Sequence, residues 1–522
     1  MLNHTIPWYL FIRACIFFLH FVGPLSTAYT STVLIYAIVS RKWPLLSLLN
    51  IWTVSETAFF LFFFWYRIYL QREALHPPLR SREERRALFD KVRGEVGDIK
   101  KFLSGWFRGA KVDDVGREEM KAWLDWAFFD GRFRAEKDGE EMEELVQEVE
   151  RMVGRPFKEG EGRAKSLRLT LDPIEMQWRS LLWYGCMLVV DTITHARMLR
   201  YGMQYQSSVA TTWKVFPPRP LAAVSSTARS PAEGLSYWMR PHTSKTRLPT
   251  LFIHGIGVGL YPYVEWFHEM DLALNGDHAD PDDTVGLLAL EILPTSSRLT
   301  SPILTRTEFL RQITAILSHH NIDRFVLASH SYGSVLSTHI LTSPALAHRV
   351  AGTLLIDPVT VLLHMPDVAF NFTVRQPTTA NEWQLWYFAS KDLGVAHTLG
   401  RHFFWSENVL WRDRIMELVG QGMRITASLS GRDLIVDTEA VGQYLVGGEV
   451  PDPIIVEGNG VKRMELEIDE KARDVQIWKE RAWKGRGLEV LWWDDLDHAQ
   501  VFDDQKKRAR LVEVLVEYSR GG

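Results

Sequence analysis

Ser331 lies in the run Phe325-Val326-Leu327-Ala328-Ser329-His330-Ser331-Tyr332-Gly333-Ser334-Val335, where an apolar stretch meets a cluster of small residues. The apolar residues predict a buried strand over 325–328, and the pattern from about Ser334 onward predicts a helix. A serine between the two sits on a tight strand-to-helix corner with its hydroxyl presented at the top of a sheet. Ser329 and Gly333, small and two positions either side, let the chain turn without a side-chain clash. A hydroxyl so placed is set up to attack an acyl carbon, given a base to take its proton.

The base is His498, in Trp492-Trp493-Asp494-Asp495-Leu496-Asp497-His498, after a strand over 488–493 and before a terminal helix. An acid that orients the histidine is expected on the loop Ser430-Gly431-Arg432-Asp433-Leu434-Ile435-Val436-Asp437. Asp433 is the choice, with Asp437 and Asp357 (in Ile356-Asp357-Pro358) as the competing acids; a competitor's alternative role is a cap or turn residue. Ester hydrolysis passes through a tetrahedral oxyanion, and each preorganised donor for that charge is worth roughly 3 kcal/mol. The loop His254-Gly255-Ile256-Gly257-Val258-Gly259 frees its backbone for that task, and the donors are assigned as the backbone amides of Ile256 and Tyr332. His254 is expected to brace this loop by hydrogen bonding, and His330 to pack beneath the corner.

These residues need a frame. Short apolar runs over 235–239, 250–254, 287–292, 325–328, 350–356, 423–429 and 488–493 alternate with helical stretches such as 307–318 and 334–341. That alternation predicts a mostly parallel sheet covered by helices, with reactive groups on loops at the carboxyl ends of its strands.

With serine, acid and histidine in that order, residues 235–522 resemble the α/β-hydrolase superfamily, specifically its esterase and lipase-like serine members. Three departures stand out: Ser329 replaces the usual first glycine of the corner, a segment over 451–487 lengthens the interval from Asp433 to His498, and no glycine precedes His498. The resemblance also implies a helical cap over 357–418, between two core strands and rich in Trp and Phe. Its rings line a substrate pocket or form the cap's own core; both readings stand. The implied activity is cleavage of a carboxylic ester, lipid-like in character, through an acyl-enzyme on Ser331. Acyl transfer to an alcohol, and a catalytically silent interaction scaffold, stay open.

The N-terminal end has a different character. Apolar runs cover 8–25, 30–39 and 45–66, the last with Glu56 as its only charge. A bilayer core needs about 20 apolar residues in a helix, so two or three spans are expected, the first two runs forming one long span or a span plus a re-entrant piece. Trp43, Trp65, Tyr66 and Tyr69 fall at run ends, where interfacial belts form. Arg67, Arg72, Arg80, Arg82, Arg85 and Arg86 follow, which favours a cytosolic hydrolase domain. Three regions result: a transmembrane segment over 1–72, a helical region over 73–213, and the hydrolase domain over 214–522.

In the helical region, Met142, Leu145, Val146, Val149 and Met152 recur at helical spacing, and Trp123, Trp126, Phe128 and Phe129 read as core. Residues 177–190 are apolar enough to lie on a membrane surface or to close over the reactive site, and 214–233 reads as a linker or the irregular edge of the next domain. A net charge of −4 in 522 residues gives no sign of a nucleic-acid partner. The two cysteines, Cys15 and Cys186, sit in apolar runs, so no disulfide framework is expected and a reducing compartment fits. His319-His320 lacks the spaced ligands of a metal site, and no phosphate loop or dinucleotide fingerprint is present, so no cofactor is expected.

Overall fold

The computed structural model describes residues 5–42, 47–276, 280–447 and 478–521. Trp43 and residues 451–477 of the long insertion lie outside the described residues. A nine-stranded sheet runs through the C-terminal part in the order β2-β1-β3-β5-β4-β6-β7-β8-β9. The central strands are β4 (Thr250–Ile253), β5 (Leu287–Glu291), β6 (Phe325–His330) and β7 (Val350–Ile356), followed by β8 (Arg424–Ser430) and β9 (Leu488–Trp493). From β5 to β9 every neighbouring pair is parallel. Strand β3 (Ser236–Arg240) runs antiparallel to β5, and β1 (Gln204–Ser207) antiparallel to β3. Every residue of β6 and β7 is buried, as expected of parallel strands covered on both faces.

Two edge strands fall outside the expected set. Strand β1 lies at the end of the region read as helical, and β2 (Ser226–Arg229) within the stretch read as a linker or domain edge. Both are four-residue polar segments without alternation. β1 is a strand because β3 offers an open edge, and β2 because β1 then offers another, not because their own sequence demands it.

The first two apolar runs form one helix, Ile6–Ser40, which continues through Pro24. The third forms Leu48–Leu70, opened by a Ser47 cap on the Asn50 amide. These are the two helices among the described residues long and apolar enough to cross a membrane. They pair with each other and also press against the rest of the protein. The Glu56 carboxylate accepts from the Leu181 amide through both oxygens at 3.0 Å, beside the start of helix Leu181–Arg200. Phe60 packs edge-on against Trp178, and the Arg13 guanidinium lies 3.9 Å from the ring centre of Trp383.

The middle region also packs on the sheet and its helices. Trp106, Trp123 and Phe128 share one apolar cluster with Trp405 and the interior of the sheet, and the Trp405 indole donates to the Ala127 carbonyl at 3.1 Å.

Candidate active site

The corner after β6 is stretched as its sequence demands. Ser331 has φ +53°, a left-handed conformation that costs a non-glycine residue roughly 1–2 kcal/mol. It is held there from both sides: its amide donates to the Ile356 carbonyl at 2.9 Å, and Ser334 Oγ donates to its carbonyl at 2.6 Å. A β-carbon on Gly333 would collide with the Ile253 carbonyl oxygen, so only glycine lets the corner close on β4. Gly255 is squeezed likewise, since a β-carbon there would stand 2.7 Å from Ser331 Cβ. Ser329, in contrast, carries its side chain in the buried sheet without strain in φ.

His498 Nε2 lies 2.8 Å from Ser331 Oγ, and His498 Nδ1 lies 2.7 Å from Asp433 Oδ2. Asp433 keeps its other oxygen on the amides of Ile435 and Val436, at 2.7 and 3.0 Å. With Nδ1–H directed at a carboxylate, the neutral ring presents the lone pair of Nε2 to the serine hydroxyl. Burial works against a charge on His498, but the Asp433 carboxylate outweighs it and the pKa is raised to about 9.

The competing acids are occupied elsewhere. Asp437 accepts from the Ala440 amide and caps helix Thr438–Val446. Asp357 is fully buried, with one oxygen on the Ser430 amide and the other on the Ala499 amide, so it ties the acid loop to the histidine loop. Burial, then repulsion from Asp433, hold it up at about 6.

Asp497 is a residue the sequence reading passed over. One oxygen accepts from the amides of Leu434 and His498, and the other from Asn381 Nδ2 at 2.8 Å, on cap helix Ala380–Leu385. Its position beside His498 in an acidic run was the available signal; its partners lie 63 and 116 residues away.

His254 braces the glycine-rich loop. Its Nε2 accepts from the Ile292 amide at 2.9 Å, which leaves Nδ1–H to donate to the Gly255 carbonyl at 2.7 Å. Burial lowers its pKa to about 4, so the ring is neutral. His330 packs beneath the corner, its Nδ1 2.8 Å from the Tyr263 hydroxyl. Neither the Ile256 amide nor the Tyr332 amide has an acceptor among the described residues. Two unspent donors beside a serine hydroxyl are placed as a developing oxyanion would require.

Beside Ser331 is a narrow cavity of about 50 Å³, lined by Ile256, Phe372, Phe403, Trp405 and Trp126. The rings of residues 357–418 therefore divide: Phe403 and Trp405 face the cavity, while Tyr387 packs on Phe388 beneath Arg179, and Trp411 on His364 beside Lys91. Trp126, read as core, also reaches this wall from the middle region.

The strand order, the antiparallel β3 beside β5 and the serine corner after β6 decide the architecture. This is the α/β-hydrolase fold. No protein-family model matches the chain, and no curated protein does. Among solved structures, a membrane phospholipase A described as a bacterial virulence factor is similar at 11% identity, over 66% of this chain and 94% of that one, with a TM-score of 0.36. Naproxen esterase from Bacillus subtilis is similar at 12% identity, over 62% and 96%, with a TM-score of 0.33. A serine hydrolase from Cycloclasticus zankles follows at 11%, over 59% and 96%, with a TM-score of 0.31.

Proposed function

We propose that this protein is a membrane-anchored serine hydrolase that cleaves carboxylic esters of apolar, lipid-like substrates through an acyl-enzyme on Ser331. The observation that carries the proposal is the 2.8 Å contact between His498 Nε2 and Ser331 Oγ, with the opposite ring nitrogen on Asp433. As Oγ attacks the ester carbonyl carbon, its proton passes to His498 Nε2 and the carbonyl oxygen gains charge beside the Ile256 and Tyr332 amides. Collapse of that intermediate breaks the ester bond, and the imidazolium returns the proton to the leaving alkoxide. Water, deprotonated by the same histidine, then releases the acid and frees the serine.

The apolar lining of the cavity supports an acyl chain over a polar substrate. Anchoring is supported by the two apolar helices, and by Leu182, Val189 and Ile193, which expose one face of helix Leu181–Arg200. The test is hydrolysis of p-nitrophenyl esters of rising chain length by the full chain in detergent. Turnover that favours longer acyl chains and vanishes in Ser331→Ala is expected; equal turnover in the folded variant would exclude this serine as the nucleophile.

A further inference from the structure

A second cavity, about 670 Å³, opens between helix Leu48–Leu70 and the hydrolase domain. One wall is that helix's own aromatic stripe: Phe62, Tyr66 and Tyr69 recur at helical spacing, with Phe62 and Tyr69 each stacked on Tyr66. The facing wall is Phe216 and Leu299, whose backbones exchange two hydrogen bonds of 2.9 Å and so fix its shape. A volume within the usual ligand-pocket range, walled by rings from a membrane helix, suits a single acyl chain.

Among the described residues that line the groove, the basic side chains are Lys214 and Arg298, and none is a carboxylate. Arg298 is committed to Asp191 and to the Ser296 carbonyl. Lys214 is exposed, and no described residue pairs with it. The groove is separate from the cavity at Ser331. Helix Leu393–Arg401 stands between them, with Leu393 and His397 facing the groove and Leu399 facing the reactive serine's side.

We propose that this groove binds one anionic bilayer lipid, its acyl chain against Phe62, Tyr66 and Tyr69 and its head group at Lys214. The proposal rests on the membrane-anchored reading above and adds a lipid site distinct from the reactive one.

The test uses the full chain in nanodiscs carrying a phospholipid with a diazirine in its acyl chain, as phosphatidylglycerol or as phosphatidylcholine, with photolabelled peptides mapped by mass spectrometry. Phosphatidylglycerol is expected to label both walls, residues 59–70 and 214–216, about fivefold more than phosphatidylcholine, the preference one lysine supplies. Lys214→Glu should remove that preference. Thr300→Trp, which fills the groove, should remove wall labelling and leave labelling on the outward faces of the two helices. Equal labelling by both lipids, labelling unchanged in Lys214→Glu, or labelling confined to the outward faces would overturn the proposal. If Thr300→Trp does not fold, the surface substitution Lys214→Glu still decides. Reaction of Ser331 with a fluorophosphonate is followed in the same samples: its absence would count against the hydrolase reading and leave the lipid result standing. Release of the chain from vesicles by alkaline carbonate would count against the anchor itself.

Discussion

Ser331 sits in an arrangement in which each partner is already committed. Asp433 is fixed by two amides before it meets His498, so the imidazole has one orientation. Asp433→Asn keeps the size and loses the charge, and is expected to lower kcat by about 10⁴-fold in a normally folded protein, read by steady-state ester hydrolysis. The pH dependence follows from His498. Its pKa of about 9 in the folded protein exceeds the ordinary histidine value, so the imidazolium is favoured by folding. Its contribution to stability is complete below the ordinary value of about 6.5 and is lost as pH rises through 9. Activity runs the other way, since the base must be neutral: kcat/KM should climb with pH toward about 9, and Asp433→Asn should move that limb to lower pH. A pH–rate profile flat from 6 to 9 would contradict this. The serine corner was readable because its signal spans a few adjacent residues. Asp433 was chosen over Asp357 on loop placement alone, since both follow core strands. What separates them is that Asp357 spends both oxygens on the Ser430 and Ala499 amides.

Strands β4 to β9 were legible because a buried parallel strand is largely apolar along its length, and the antiparallel β3 because of its own apolar run; their ends fell within a residue or two of the pattern. Strands β1 and β2 carried no such mark; what makes them strands is the neighbour they pair with. At this scale the tight approach of β4 to the serine corner is the testable feature. Gly333→Ala places a methyl against the Ile253 carbonyl and is expected to cost soluble, folded protein, read by thermal unfolding. The cap is joined to the histidine loop through Asn381 and Asp497. Asn381→Ala should leave the fold intact and lower kcat by up to about 10²-fold, the penalty of a small misplacement of reacting groups. An unchanged kcat with only KM raised would instead limit the cap to substrate binding.

Across the whole molecule, the N-terminal helices press on the rest of the fold. Glu56 caps Leu181 from within the second apolar helix, and Phe59 packs in a cluster that includes Val258 of the glycine-rich loop. Deleting residues 1–72 is therefore expected to expose Trp178 and the cluster around Tyr184, and to yield aggregated chain, checked by size-exclusion chromatography. A monomeric, active truncation would reduce the helices to a simple anchor. The sequence showed these helices by hydropathy alone, but not what they touch, because their partners lie over a hundred residues away. The same holds for Trp126, whose place on the reactive cavity's wall depends on a cap that follows it by more than two hundred residues.

The most direct measurement is intact-mass analysis of the full chain after treatment with a fluorophosphonate, followed by mapping of the modified peptide. One adduct per chain on Ser331, slowed in Asp433→Asn and absent in Ser331→Ala, is the predicted result. An unmodified, folded chain, or an adduct on another residue, would contradict the account.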